Sequence, residues 1–247
     1  MRIIPVIDVL QGKVVHAVKG YREKYLPLKS ELFNTLEPTE VAAELKRIFG
    51  FEELYVADLD GIMKGTPNLD MISSICKIGD LKVLVDSGVN NSSKANKLLQ
   101  TGVSNIVVGT ETLCKIEDLL NIIKLSGDTP VTGSIDIRDG KVLSQCNELV
   151  DVSPSKAAKI LEDNGVKQII LLDISKVGSE SGVEVGLAEL ILNSINIPLL
   201  VGGSVSTIKD IFALREIGVS GVLMATVLHK TRLTKFDINF IKSLAEK

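Results

Sequence analysis

The chain has 247 residues, of which 45% are hydrophobic and 24% charged, and its formal charge is −3. That is enough length and apolar content for a globular chain with a sizeable core. No Lys/Arg block could track a phosphate backbone and no run approaches 18 consecutive apolar residues, which argues against nucleic-acid partners and a membrane span.

Aromatic residues are 4% and Trp is absent, so the core must be built from Ile, Leu and Val, residues suited to buried parallel strands. The apolar run in Met1–Leu10 is too short for a secretory signal and reads as a first strand. Short β-branched runs then alternate with amphipathic segments of roughly ten residues, which is the βα pattern. The expected strands are Ile3–Asp8, Leu54–Asp58, Lys82–Val85, Asn105–Val108, Val131–Asp136, Gln168–Asp173, Pro198–Val201 and Gly221–Met224. Between them, stripes such as Val41, Ala42, Leu45, Ile48 and Phe49 give one apolar helix face. Pro38-Thr39, Ser92, Ser155 and Thr207 stand just before such stripes and are the expected helix starts. Cys76, Cys114 and Cys146 have no CxxC spacing and read as buried thiols of a reducing, cytoplasmic protein.

Eight strands without a long linker fit a closed (β/α)₈ barrel. An open doubly wound sheet would be favoured by GxGxxG after the first strand, and Asp8 is followed by Val-Leu-Gln-Gly. An internal repeat favours the barrel further. Leu84 and Leu200, Gly102 and Gly218, Thr110 and Thr226, and Pro38 and Pro154 all stand 116 positions apart. Ile7-Asp8-Val9-x-x-Gly12-Lys13-Val14 recurs as Ile135-Asp136-Ile137-x-x-Gly140-Lys141-Val142 at an offset larger by twelve, so the first half carries an insertion between Val14 and Pro38. The expectation is one domain over residues 1–247, with half-barrels of about 1–127 and 128–247.

Barrel chemistry lies at the C-terminal ends of the strands. The repeat puts Asp8 and Asp136 there, one in each half, facing each other across the mouth. Paired, partly buried carboxyls can split their proton affinities and so work as base and acid. Asp58 and Asp173 form a second pair, with Asp60 beside the first; substrate contact and turn capping are both open to them. Gly202-Gly203-Ser204 and Ala225-Thr226 offer small residues and backbone N–H groups to a phosphate, with a short helix expected near Ala225. Gly109-Thr110 offers the same in the first half, but Asp86-Ser87-Gly88 there carries a charge that repels a dianion. His16 and His229 read as structural or solvent-facing, and no His/Cys/Asp cluster has metal-ligand spacing. Lys19-Gly20-Tyr21-Arg22-Glu23-Lys24-Tyr25, in the insertion, reads as a lid bringing cations to an anionic substrate, or as a solvated basic loop.

These motifs resemble the histidine-biosynthesis barrel family, whose members include the ProFAR isomerase and a cyclase. The likeness is carried by Ile4-Pro5-Val6-Ile7-Asp8 with Gly12-Lys13-Val14-Val15, and by Val56-Ala57-Asp58-Leu59-Asp60-Gly61. It continues through Ile135-Asp136-Ile137-Arg138-Asp139-Gly140-Lys141-Val142, Asp173-Ile174 with Gly178 and Ser181-Gly182, and Gly202-Gly203-x-Val205. Ile137-Arg138-Asp139-Gly140 favours the isomerase branch over the cyclase.

The resemblance implies a barrel of the ribulose-phosphate-binding type, with Asp8 as base and Asp136 as acid of an Amadori aldose-to-ketose rearrangement that needs no cofactor. It implies phosphate contacts at Gly178, Gly202, Gly203, Ala225, Thr226, Gly109 and Thr110, and substrate contacts at Lys19, Asp58, Asp173, Ser87 and Gly88. The partner would be a small phosphorylated sugar or ribonucleotide, and the protein a monomer or small homo-oligomer. Where the isomerase has Gly-Gly-Gly-Ile-Arg, this chain has Asp86-Ser87-Gly88-Val89-Asn90; Leu172 and Val177 replace an expected Thr and Asp. The pattern Val15-His16-Ala17-Val18 with Ala225-Thr226-x-Leu228-His229 matches isomerase-related paralogues. A paralogue with a modified substrate is the expectation; the alternatives are the ProFAR isomerase itself and a phosphate-ligand-binding barrel with altered chemistry.

Overall fold

A computed structural model describes residues 1–179, 182–203 and 205–243. Ser181 and Ser204, which the sequence motifs included, lie outside the described residues. Eight parallel strands close on themselves: β1 (Arg2–Leu10), β2 (Glu53–Asp58), β3 (Lys82–Asp86), β4 (Asn105–Gly109), β5 (Val131–Arg138), β6 (Gln168–Asp173), β7 (Leu199–Gly202) and β8 (Gly221–Met224). Closure comes from β1 against β8, with Ile4 opposite Leu223. The helices are α1 (Pro38–Phe49), α2 (Leu59–Lys64), α3 (Leu69–Cys76), α4 (Ser92–Leu99), α5 (Ile116–Ser126), α6 (Pro154–Asp163), α7 (Val185–Leu192), α8 (Ile208–Glu216), α9 (Thr226–His229) and α10 (Lys235–Ser243). This is a (β/α)₈ barrel. No described helix is long and apolar enough to cross a membrane.

Two apolar clusters follow from the two-residue period of the strands. Ile3, Ile7, Val56, Val85, Ile106, Ile135 and Ile169 pack outward under the helices. Ile4, Tyr55, Ala57, Leu84, Val107, Ile170, Leu200 and Leu223 fill the barrel interior. The same parity puts Asp8 inward with Ile4, Asp86 inward with Leu84, and Gly202 inward with Leu200. On β5 it is the polar series Thr132, Ser134 and Asp136 that shares the inward face. At the opposite pole, Arg2 joins Glu53 at 2.6 Å and also reaches Gln168.

Helix starts lie slightly upstream of expectation. Asn91, not Ser92, caps α4 by accepting from the Lys94 N–H, and Ser153, not Ser155, caps α6 with Pro154 in the first turn. A residue whose side chain must reach back to the N–H three positions on has to sit outside the helix, which is where these two are. Thr207 caps α8 as expected and forms a reciprocal box with Asp210. Glu37 precedes α1 without a side-chain cap, and Pro38 opens the helix. Of the cysteines only Cys146 is buried; Cys114 is exposed, contrary to expectation.

The insertion after β1 is ordered by backbone pairing. Lys13–His16 runs back along β1, Val15 and His16 pair with Pro27 and Leu26, and a 3₁₀ turn spans Arg22–Lys24. Its backbone is also held from β6's side, where the Lys19 N–H donates to Val177 O at 2.7 Å. Gly178 permits this approach. It has φ +69°, and a Cβ there would stand 2.0 Å from Ala17 O.

Candidate active site

Asp8 and Asp136 line one cavity at the C-terminal end of the barrel, together with Asp86, Glu111, Arg22, Tyr25, Tyr55 and Leu172. Asp136 is 4% exposed. Its Oδ1 accepts from Ser134 Oγ at 3.1 Å, and its backbone N–H donates to Thr110 Oγ1 at 3.1 Å. The Glu111 N–H reaches its Oδ2 at 3.4 Å. Asp8 is only partly buried and accepts no hydrogen bond from a described side chain or N–H. Burial pushes its carboxyl up to about 7, with the Arg22 charge opposing. Burial, then the Asp86 and Glu111 charges, hold Asp136 well above the ordinary carboxylate range. Both carboxyls are thus pushed up by burial, and their neighbours act in opposite senses, like charges on Asp136 and the Arg22 cation on Asp8.

Two carboxylates and one cation stand near this pair; from sequence Asp86 reads only as repelling a dianion, Arg22 only as part of a lid or basic loop, and Glu111 has no role. Asp86, at the end of β3, is 7% exposed and pushed up to about 6, mainly by burial and against the Gly88 N–H. Glu111 follows β4 and meets Arg22 at 2.5 Å. Arg22 comes from the insertion, so that segment does bring a cation to the mouth. Lys19 does not: its side chain is exposed and away from the cavity, because the turn at Lys19-Gly20 directs it to solvent. Gly109 lies beneath the acidic groups, and a Cβ on it would be 3.0 Å from Asp136 Oδ2 and 3.4 Å from Asp86 Oδ2.

Several residues named from sequence are occupied elsewhere. Asp58 and Asp173 are one position out of phase with the inward residues Ala57 and Leu172, so neither points into the mouth. Asp58 caps α2 and accepts from the Asn68 N–H at 2.6 Å and Asn68 Nδ2 at 2.7 Å. Asp173 accepts from the Ser175 N–H and hydroxyl, at 3.1 and 2.5 Å. Ser87 and Gly88 are packed against α2, with Ser87 O 2.5 Å from where a Gly61 Cβ would be, and neither lines the cavity. The Thr110 N–H donates to Ser134 O at 2.8 Å and its hydroxyl backs Asp136, so Gly109-Thr110 supports the acid rather than presenting donors to the cavity.

The other side of the mouth is different in character. Gly178, Gly203, Ala225 and Thr226 all line the cavity; Gly202, expected from sequence to contact phosphate, does not, being covered by the side chains of Leu172 and Leu223. Gly203 has φ +102° and sits so close to β6 that a Cβ would be 2.8 Å from Asp173 O. Both histidines, read from sequence as structural or solvent-facing, line this side. His229 is held down to about 4 by burial, with His16 adding to the effect, and its Nδ1 lies 3.2 Å from Ser30 Oγ. No sequence signal joined two histidines so far apart; the β1 hairpin and α9 bring them together.

A closed (β/α)₈ barrel with inward carboxyls at the ends of opposed strands defines the class: a barrel with paired acid–base groups at the mouth. The chain belongs to the histidine biosynthesis protein family, whose model matches residues 2–234. It is 30% identical over 239 residues to a phosphoribosyl-imidazole-4-carboxamide isomerase of Methanococcus vannielii, covering 96% of this chain and 98% of the relative. Two similar proteins occur together in Methanocaldococcus jannaschii. One is an uncharacterised protein, 33% identical over 232 residues; the other, 29% identical over 232 residues, bears the same isomerase name, and each alignment covers 93% of this chain and 94% of the relative.

Proposed function

We propose that this protein isomerises a phosphorylated sugar or ribonucleotide by an Amadori rearrangement, as a paralogue of the ProFAR isomerase with a modified substrate. Asp136, the carboxyl that keeps its proton, donates it to the sugar ring oxygen and opens the ring to an imine. Asp8, the more readily ionised and unencumbered carboxylate, takes the C2 proton. The enolamine that results collapses to the aminoketose. Asp8 then holds a proton and Asp136 has lost one, and exchange with water restores both. No step requires a cofactor.

The single observation carrying this reading is the pair of inward carboxyls on β1 and β5 facing one cavity, one set among like charges and the other beside the Arg22 cation. The substrate phosphate would sit by Gly178, Gly203, Ala225 and Thr226, where small residues bring backbone to the cavity wall. The modified substrate is favoured by Leu172, an apolar group where the named isomerases are expected to carry a hydroxyl, and by the similarity to an uncharacterised protein in an organism that also has the named isomerase.

Purified protein challenged with ProFAR tests the reading. The expected result is saturable binding of inorganic phosphate without conversion of ProFAR; efficient conversion would instead make this a ProFAR isomerase. For whichever aldose is converted, Asp8→Asn and Asp136→Asn should each abolish turnover, and activity surviving in either contradicts the assigned roles.

A further inference from the structure

The two halves of the mouth can be compared position by position within this one chain. At the repeat offset of 116, Asp86 corresponds to Gly202, Ser87 to Gly203, Gly109 to Ala225, Thr110 to Thr226 and Glu111 to Val227. Asp86 and Gly202 also share a place in the fold, inward at the ends of β3 and β7. Where one half has a glycine packed against the Leu172 and Leu223 side chains and a core valine, the other places two carboxylates.

Asp86 uses only one of its two oxygens within the fold. Asp86 is 7% exposed, its Oδ1 accepts from the Gly88 N–H at 3.0 Å, and its Oδ2 meets no donor among the described residues. That oxygen opens on the cavity beside Asp136. A carboxylate oxygen that faces a cavity with no protein donor is free to accept a hydrogen bond from a ligand. Glu111 pairs with Arg22, the one Lys or Arg side chain among the described residues lining the cavity, and so offsets the positive charge that end of the mouth would otherwise offer a phosphate. The loop that could have cradled an anion, Ser87-Gly88, is closed off by α2.

We infer that Asp86 is a specificity-determining residue that restricts the substrate to one phosphate, held in the second half, and that it receives a hydrogen-bond donor, a hydroxyl or amine, at the substrate's other end. This rests on the phosphate reading given above and narrows it to monophosphorylated substrates. A dianion at the β3–β4 end would face Asp86, Glu111 and the reacting pair at once.

Calorimetric titration at pH 7.5 with inorganic phosphate, ribose 5-phosphate and ribulose 1,5-bisphosphate tests it. The wild type should bind the bisphosphate no more tightly than the monophosphate. Asp86→Gly, which copies Gly202 into the first half, should shift that ratio at least tenfold towards the bisphosphate and leave inorganic phosphate within twofold. Asp86→Asn keeps an acceptor for the Gly88 N–H and should shift the ratio in the same direction should the glycine variant fold poorly. A wild type that prefers the bisphosphate tenfold or more, or an unchanged ratio in both variants, overturns the inference while leaving the phosphate reading intact. Absence of binding by all three probes removes the phosphate reading itself, and the inference with it.

Discussion

Asp8 should make the protein less stable than it would be with a neutral residue in its place, and the penalty should depend on pH. The carboxyl ionises at about 7 in the fold and at about 3.9 in an unfolded chain. Between roughly pH 4 and pH 7 the folded state holds a proton that the unfolded state has released, so stability falls as pH rises through that window. Above pH 7 the whole penalty is present, about 4 kcal/mol at roughly 1.4 kcal/mol per pH unit. Asp8 is partly exposed to the cavity, and solvent screening together with the poor hydrogen bonding of a substituted amide brings the expected net gain for Asp8→Asn to about 1–2 kcal/mol at pH 8. For a domain of this size that is a rise of roughly 2–8 °C in Tm. Thermal unfolding followed by circular dichroism at pH 5 and pH 8 reads it: the variant's advantage should be small at the lower pH and grow towards the higher. A variant that is less stable than wild type at pH 8, or whose advantage is the same at both values, refutes the reasoning. The sign matters functionally, because a group kept at a cost to the fold is one retained for its chemistry.

Two further substitutions separate structural from substrate-facing groups. Asp58→Ala removes a buried cap and its Asn68 contacts, so chemical denaturation should show a loss of about 2–4 kcal/mol while phosphate affinity is unchanged; weaker phosphate binding at full stability would return Asp58 to the site. Gly178→Ala puts a Cβ against Ala17 O at positive φ, costing roughly 1–3 kcal/mol, and by displacing the insertion it should weaken inorganic phosphate binding as well, read by thermal unfolding and calorimetry. An alanine variant as stable as wild type and with equal phosphate affinity would show that the hairpin does not depend on that contact.

The strands were legible because each is a short run rich in Val, Ile and Leu, four of them closing on an aspartate, and the repeat placed Asp8 and Asp136 at equivalent ends before any coordinates. Asp58 and Asp173 were harder, because a carboxylate closing a strand looks the same in sequence whether it turns into the mouth or caps the next turn. Strand parity was the available signal: Tyr55 and Ala57 take the inward positions on β2, which leaves Asp58 outside. For Arg22 there was no such signal. An insertion has no periodicity, and its ion pair with Glu111 spans 89 positions. The histidine pair is hidden for the same reason, since only barrel closure brings α9 beside the β1 hairpin. The restricted first half, by contrast, could be read once Asp86 was set against Gly202.

The acid–base assignment is tested most directly by carbon-13 NMR titration of the protein labelled at aspartate Cγ. One resonance should titrate near pH 7 and vanish in Asp8→Asn, and another, lost in Asp136→Asn, should titrate well above the ordinary carboxylate range. If every aspartate resonance instead titrates in the ordinary range near pH 4, the two carboxyls have no division of labour and the proposed chemistry fails.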